Sequence, residues 1–439
     1  MKRYFSLLLI LALAQTVAFA QSKVVTFHEG APSSVKEVYY ITPDSAIVGY
    51  YNRYYATGER EAFAKFVEGK KDSIFTEFFQ NGNPKMQVTY VMDVKQGPFK
   101  AYLPDGTLLQ EGSFENDKQS NVLRIFYPDG KIKKESAFQN GFPEGVAKEY
   151  YPSGKIKSEI SYSGSKQNGI AKTYFSNGNL ESEANFRNGI QEGPYKTYYD
   201  NGQLESEVVY VAGQKNGNFK LYFRNGQLST EAGLAAGKLH GVSKSFYENG
   251  KPLSLITYKN GSISGTGKYF YEDGSVKEEI TSSGVSRKVK RYTPGGYLEA
   301  EEEYKNNKKH GNWKKYYSGP EKKLKETETY LNNYLEGERI LYHENGQVKE
   351  KYTYKQGMAV GRAYTYHPSG KVLSETIYRN GLRAGVYKQY FEDGKIEVLG
   401  YYNNNKEEGG WKYHSKEGTV LRTVVYRNGI AQEQKTSKN

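Results

Sequence analysis

From Lys155 to Tyr162 apolar and polar side chains alternate. Ile156, Ser158, Ile160 and Tyr162 fall on one side, and Lys155, Lys157, Glu159 and Ser161 on the other. A period of two is the mark of a strand. The strand follows an aromatic pair and a Pro-Ser-Gly turn, in the stretch Glu149-Tyr-Tyr-Pro-Ser-Gly-Lys-Ile-Lys-Ser-Glu159. The same arrangement recurs from Phe126 to Glu135 and from Tyr198 to Glu207. Its turn glycines are Gly58, Gly82, Gly106, Gly130, Gly154, Gly178, Gly202, Gly226, Gly250 and Gly274, each 24 residues after the last, and the phase returns at Gly346, Gly370, Gly394 and Gly418. Proline presets φ for such a turn, Asp or Asn follows, and glycine takes the left-handed position, which suits a three-residue hairpin loop with a glycine bulge.

Each period holds a second turn, rich in Asn-Gly, at Asn140-Gly141, Asn188-Gly189, Asn260-Gly261, Asn380-Gly381 and Asn428-Gly429. Four residues on, a further glycine (Gly145, Gly193, Gly241, Gly265, Gly385) is expected to open the return strand. An aromatic often stands two places later, as at Tyr195, Phe219, Trp313, Tyr387 and Trp411. Glycine arrives too often for a long helix. The pattern predicts an all-β fold, an elongated single-sheet ribbon or solenoid of about sixteen 24-residue β-hairpin repeats, on the order of 150 Å long at the usual strand spacing before twist shortens it. Such a sheet has no thick core, and 42 tyrosines against 20 phenylalanines fit that picture. A tyrosine ring covers a thin sheet while its hydroxyl stays wet or bonds a neighbour.

The rhythm breaks once. After Gly274 a turn is due at residue 298, but Pro294-Gly-Gly296 comes two residues early, and the longer Ser318-Gly-Pro-Glu-Lys322 turn restores the phase by Leu324. Between them a basic block (Arg287, Lys288, Lys290, Arg291) precedes an acidic one (Glu299, Glu301, Glu302, Glu303), with Trp313 soon after. Either the blocks pair across a hairpin, or the ribbon kinks and presents a distinct patch with a tryptophan anchor of the kind interfaces favour. Arg287, Lys288, Lys290, Arg291, Trp313 and Trp411 are therefore the candidate binding residues.

Residues 1–20 have the form of a secretory leader: Lys2 and Arg3, an apolar run from Leu7 to Leu13, and a small-x-small site at Ala18-Phe-Ala20. Cleavage before Gln21 would leave 60 basic and 49 acidic residues, a formal +11. The expected organisation is a leader at 1–20, a degenerate capping segment at 21–53, the repeat array at 54–430 and a polar tail at 431–439. No second apolar stretch follows, so no membrane span is expected after cleavage. The absence of cysteine excludes disulfides, thiolate metal sites and an N-terminal lipid-modified cysteine. Lysine is spread over nearly every repeat, as on a solvated surface. Read more sharply, the excess attracts anions, and for an exported chain these would be envelope glycans, lipids or acidic proteins rather than nucleic acid.

Catalytic signatures do not assemble. One glutamate per repeat (Glu111, Glu135, Glu159, Glu183, Glu207, Glu231, Glu279, Glu375) implies identical surroundings, whereas acid–base pairs need unlike ones. His343 and His367 occupy the place of an aromatic and, without thiolates, make a poor zinc site. Gly261 to Tyr269 only glances at a phosphate loop, since Tyr269 stands where Ser or Thr would bind magnesium. Ser163-Gly-Ser-Lys166 lacks the companion motifs of Ser-x-x-Lys enzymes. No catalytic residue, cofactor or metal is expected.

The repeat, aromatic–aromatic–x–Asn/Asp–Gly–x–Ile/Leu–x–x–Glu followed by Tyr/Phe–x–Asn–Gly–x–x–x–Gly–x–aromatic, resembles the MORN-type repeat over about residues 54–430. It is more closely similar to the bacterial variant found in proteins called YwqK-family toxin–antitoxin antitoxins. The resemblance implies scaffolding, protein contacts and, in some members, acidic lipids. An antitoxin role conflicts with export, because a cytoplasmic toxin is out of reach of an exported protein. The sequence thus leads to an exported, non-catalytic scaffold in the periplasm or cell envelope that binds an envelope protein. The competing expectation is a glycan or anionic-lipid binder using tyrosine and lysine faces.

Overall fold

In the computed structural model, which describes residues 20–436, the alternating segments fold as strands and no helix occurs among the described residues. The expected leader lies outside those residues apart from Ala20. The chain forms two units, one of residues up to Leu204 with Tyr210–Gly213, the other of Glu205–Val209 with the chain from Gln214 onward. Each unit is an antiparallel meander in which strands pair with their neighbours in sequence. The first runs from Ser22–His28 against Ala31–Ile41 to Leu180–Arg187 against Ile190–Tyr198. The second runs from Gln214–Tyr222 against Leu228–Ala235 to Val420–Arg427 against Ile430–Thr436. The segment read as a polar tail therefore begins in a paired strand. The lead-in is also strand, and its Glu37 accepts a hydrogen bond from the Tyr51 hydroxyl at 2.7 Å.

Both turns take the geometry their residues favour. The Tyr151 amide donates to Lys155 O at 2.9 Å and the Gly154 amide to Tyr151 O at 2.8 Å, with Gly154 at φ +86°. A Cβ on Gly154 would meet nothing within 4 Å, so only the backbone resists a side chain there. Gly154→Ala should cost about 1 kcal/mol through positive φ alone, and denaturant titration of the variant checks it. In the second turn Asn188 (φ +52°) and Gly189 (φ +83°) join Arg187 to Ile190, the two-residue type I′ loop that suits strand twist.

The glycine after the second turn opens the return strand in some repeats, as expected, at Gly145 and Gly385, but interrupts it in others. Strand Ile190–Tyr198 is already running when Gly193 interrupts it. Opposite Ala184 and Phe186, the partner jumps from Tyr195 to Gln191, so two extra residues bulge from the return strand, and Gly193 takes φ +90°. Bulges bend a strand and re-aim its side chains. Here the re-aimed residue links successive repeats. The Glu144, Glu192, Glu336 and Glu408 carboxylates accept hydrogen bonds from the amides of Gly164, Ala212, Gln356 and Asn428, at 2.7–2.9 Å in the next hairpin loop.

One face of each sheet is the more buried. The position of Ile160 recurs as Val88, Ala184, Val208, Ala232, Ile256, Ile280 and Val424, all buried. Opposite it in the ladder stand residues whose size varies inversely. Phe99 faces Gly112, Tyr195 faces Ala184, and Gly267 faces both Ile256 and Ile280. A thin sheet fills its core face by such trade of volume between neighbouring strands.

The break in rhythm has a simple structural basis. Strand Ser286–Tyr292 pairs with Val276–Ser283 from Ser283↔Ser286 to Glu278↔Arg291 with no shift in register. Its bulge is missing, which removes two residues. The next first-type loop, from the Thr293 amide to Tyr297 O, is of the usual length; the one after it runs from the Tyr317 amide to Lys323 O and encloses residues 318–322, two more than the usual three, and the phase is regained.

Candidate functional site

The repeated glutamate lies on the less buried face, held from both sides. The Tyr150, Tyr174, Tyr222, Tyr292 and Tyr316 hydroxyls donate to the carboxylates of Glu135, Glu159, Glu207, Glu279 and Glu301 in the preceding repeat at 2.7–3.0 Å. Lysines complete the row, with Lys148–Glu159 at 3.4 Å, Lys172–Glu183 at 3.2 Å and Lys268–Glu279 at 2.8 Å. Burial, then the bond to its glutamate and that charge, raise Tyr150, Tyr174, Tyr292 and Tyr316 to about 12. Lys268 and then Tyr292 hold Glu279 below the ordinary carboxylate range. These carboxylates tie one repeat to the next.

Where the second aromatic of the pair is tyrosine it makes another such tie. The Tyr127, Tyr151, Tyr247 and Tyr317 hydroxyls donate to a main-chain carbonyl of the next repeat (Tyr150, Tyr174, Phe270 and Tyr342) at 2.7–2.8 Å. His343 and His367 stand in this place, and their Nε2 atoms reach Tyr366 O at 3.1 Å and Tyr390 O at 3.4 Å. The imidazole replaces tyrosine because its ring nitrogen can donate to the same carbonyl. The stretch likened to a phosphate loop is strand Ser262–Phe270, whose Lys268 belongs to the glutamate row.

At the break the buried face changes character. Elsewhere it carries hydroxyl pairs such as Thr173–Ser182, Ser245–Ser254 and Thr365–Ser374 at 2.6–2.7 Å. Between Glu278 and Arg339 several of those places, and of the row of Ile160, hold charges instead. Arg291 bridges Glu278 and Glu302, the latter at 3.1 Å. Further on, Lys315 meets Glu326 at 2.7 Å, and Arg339 meets Glu326 at 2.6 Å and Glu328 at 3.5 Å. The Glu302, Glu326 and Glu328 side chains are only 10–11% exposed. Burial alone would raise Glu326, but Lys315 and Arg339 overcome it and hold the carboxyl below its ordinary value. Glu326 and Glu328 escaped the sequence reading, although their signal was present. In Leu324-x-Glu326-x-Glu328-x-Tyr330 they take the parity of Ile156-x-Ser158-x-Ile160-x-Tyr162, which faces the core.

Of the residues singled out in sequence, Lys288, Lys290 and Arg291 are paired across the hairpin with Glu303 (2.8 Å), Glu301 (3.8 Å) and Glu302 (3.1 Å). Arg287 is not; its guanidinium lies over the Tyr304 ring, 4.5 Å from the centroid. Trp313 is 7% exposed and sits between Tyr304 and Tyr330, with Nε1 donating to Glu303 O at 2.9 Å and the Lys309 ammonium 4.3 Å from its ring centroid. Trp411 is 5% exposed, packed with Val398, Tyr402, Tyr387, Tyr413 and Tyr426. Both indoles therefore serve packing, and neither ring is presented to a partner as an anchor would be. Trp411 lies far along the chain and joins no charge block.

The model of the MORN repeat variant matches eleven segments of the chain: 71–92, 95–116, 121–140, 143–163, 167–188, 191–212, 239–260, 264–282, 335–356, 359–380 and 383–404. The unmatched interval from 283 to 334 contains the missing bulge and the buried Glu302, Glu326 and Glu328. No curated protein matches the chain. Among solved structures it is similar to a chain of the TcdB2-TccC3-Cdc42 crystal structure at 11% identity, covering 92% of this chain and 26% of that one with a TM-score of 0.14. It is likewise similar to a chain of the Photorhabdus luminescens Tc holotoxin pore, at 10% identity, 89% and 24% coverage and a TM-score of 0.14. The chain thus spans about a quarter of the length of these solved chains.

Proposed function

This chain belongs to the MORN repeat variant family, and from that premise we propose that it is an exported, non-catalytic repeat scaffold that binds another protein of the cell envelope. The observation that carries the reading is the use of the repeated polar groups. Glutamate, tyrosine and lysine of one repeat are bonded to those of the next, so within each unit the repeats hold a fixed surface and their recurring carboxylates share one structural task. A rigid surface of this kind limits the ordering cost of association. Export rests on the leader-like residues 1–20. It argues against the antitoxin role that the bacterial resemblance implies.

A glycan or anionic-lipid surface is the rival occupant. Lysines of the rows are already paired with glutamate, which weakens their pull on a polyanion. The test immobilises residues 21–439, applies envelope extract and then raises the salt. A protein partner should stay bound at roughly 0.5 M salt, where the Debye length has shrunk to a few ångströms, and the complex should re-form from purified components. Complete loss of protein at that salt, with retention on anionic vesicles or acidic polysaccharide at low salt, would overturn the scaffold reading.

A further inference from the structure

The missing bulge leaves three features in one place. The aromatic that lines the buried face in neighbouring repeats (Tyr258, Tyr304, Tyr330) is Ser282 here, so a ring-sized space opens. Arg287 enters it in place of the bulge: it pairs with Ser282 on one side and Tyr304 on the other and lays its guanidinium on the Tyr304 ring. Its Nε is buried without a hydrogen-bond partner, and the guanidinium makes no ion pair with any described residue. Asn307 is the third feature. In other repeats the equivalent side chain (Asp93, Asp117, Asn333, Asn405) accepts from an amide of the preceding repeat at 2.7–2.9 Å. With the bulge gone, the Asn307 amide group has no such bond among the described residues.

These features surround a half-open pocket lined by Ser262, Ile263, Ser282, Ser286, Arg287 and the Asn306–Asn307 loop, with no carboxylate in its wall. We propose that this pocket binds a carboxylate presented by an acidic peptide segment of the partner protein, with Arg287 as its principal ligand. The proposal rests on the scaffold reading above and names the chemistry of its contact. A stacked guanidinium is a planar, oriented fork that meets a carboxylate with paired hydrogen bonds. Serine hydroxyls and the Asn307 amide supply further donors at the rim. Arg287 covers the Tyr304 face and no other aromatic lines the pocket, so a sugar ring has no platform there. Val285, 58% exposed beside the pocket, offers an apolar contact for a peptide.

The test uses residues 21–439 with arginine Nε labelled for NMR and two blocked tripeptides, Gly-Asp-Gly and Gly-Asn-Gly. The Arg287 Nε signal should shift saturably with the aspartyl peptide and not with the asparaginyl one. Asn307→Ala should weaken the effect several-fold. Arg287→Met, which keeps a chain able to cover Tyr304, should abolish saturable binding elsewhere in the pocket without lowering the melting temperature. No saturable shift by roughly 50 mM peptide, weaker than any useful contact, would overturn the proposal. So would tighter binding of oligogalacturonate than of the aspartyl peptide. Undiminished capture of the reconstituted envelope partner by Arg287→Met would sink the pocket while leaving the scaffold standing; failure to reconstitute any partner would sink the scaffold, whatever the tripeptides do.

Discussion

Raising the pH from 10 towards 12 should unfold the protein cooperatively, with the tyrosines of its glutamate rows ionising late. The tyrosines of the glutamate rows cause this. Tyr150, Tyr174, Tyr292 and Tyr316 are raised from 10 to about 12, first by burial and then by the carboxylate each bonds. A raised tyrosine pKa means that the fold favours the neutral phenol. The stabilisation is therefore whole below pH 10, where the unfolded chain is also protonated, and drains away between 10 and 12 as the unfolded tyrosines ionise first. Each contribution is small after screening by solvent, but the rows run through both units and their losses accumulate. Phenolate absorbance and circular dichroism followed together would measure it. The tyrosines of the rows should titrate above the ordinary value, together with loss of strand signal. In Glu159→Gln the amide oxygen still accepts from Tyr174 but the charge is gone, so Tyr174 should ionise earlier. A single phase at the ordinary value with strand signal intact would show that the rows do not hold the repeats together.

The period of 24, the alternation and the two turn types were legible because each depends on residues close in sequence, and Pro-Ser-Gly or Asn-Gly leaves the backbone few choices. The glutamate row was legible as a row. Its partner was not, since Tyr174 and Glu159 belong to different repeats and only register brings hydroxyl to carboxylate. Gly193 was read as a strand opening because a bulge and a strand start place glycine equally well; the choice depends on which residue of the next strand lies opposite. The charge blocks at 287–303 could be seen, and their pairing across the hairpin was one of two readings. Sequence could not separate Arg287 from its three basic neighbours. That distinction follows from a register that runs on without its bulge and from the aromatic lost at Ser282. Trp313 and Trp411 looked like anchors by composition, yet a tryptophan's role depends on which face its strand turns inward.

Gly400→Ala should be among the most damaging single methyl additions in the second unit. Gly400 stands where other repeats place Ile160, Ile256 or Val424, and its backbone is not in a conformation that a side chain resists. A Cβ there would overlap Cδ2 and Cε2 of Trp411, contacts that cannot persist. The indole cannot step aside. Tyr387 stacks on it at 5.5 Å between centroids, Tyr402 meets it edge-on at 5.0 Å, and Tyr426 closes a further side at 6.1 Å. Overpacking of this kind costs about 1–3 kcal/mol or more, and in a repeat stack it should first loosen the strands at 396–427. Gly410→Ala is the control. It is one residue from the same indole, yet its Cβ would find only Thr423 Cγ2 at 3.7 Å, so it should melt like the parent. Trp411→Leu alone should also destabilise, by vacating the cluster. Combined with Gly400→Ala it should recover part of the loss, because the methyl then enters space the ring has left, a favourable coupling of about 1 kcal/mol or more. Hydrogen exchange across Ile396–Asn403 and Val420–Arg427, with thermal melts of all four variants, decides the matter. If Gly400→Ala melts like Gly410→Ala, the indole does not lie flat on this strand, and the trade of volume between neighbouring strands is not what shapes the core face.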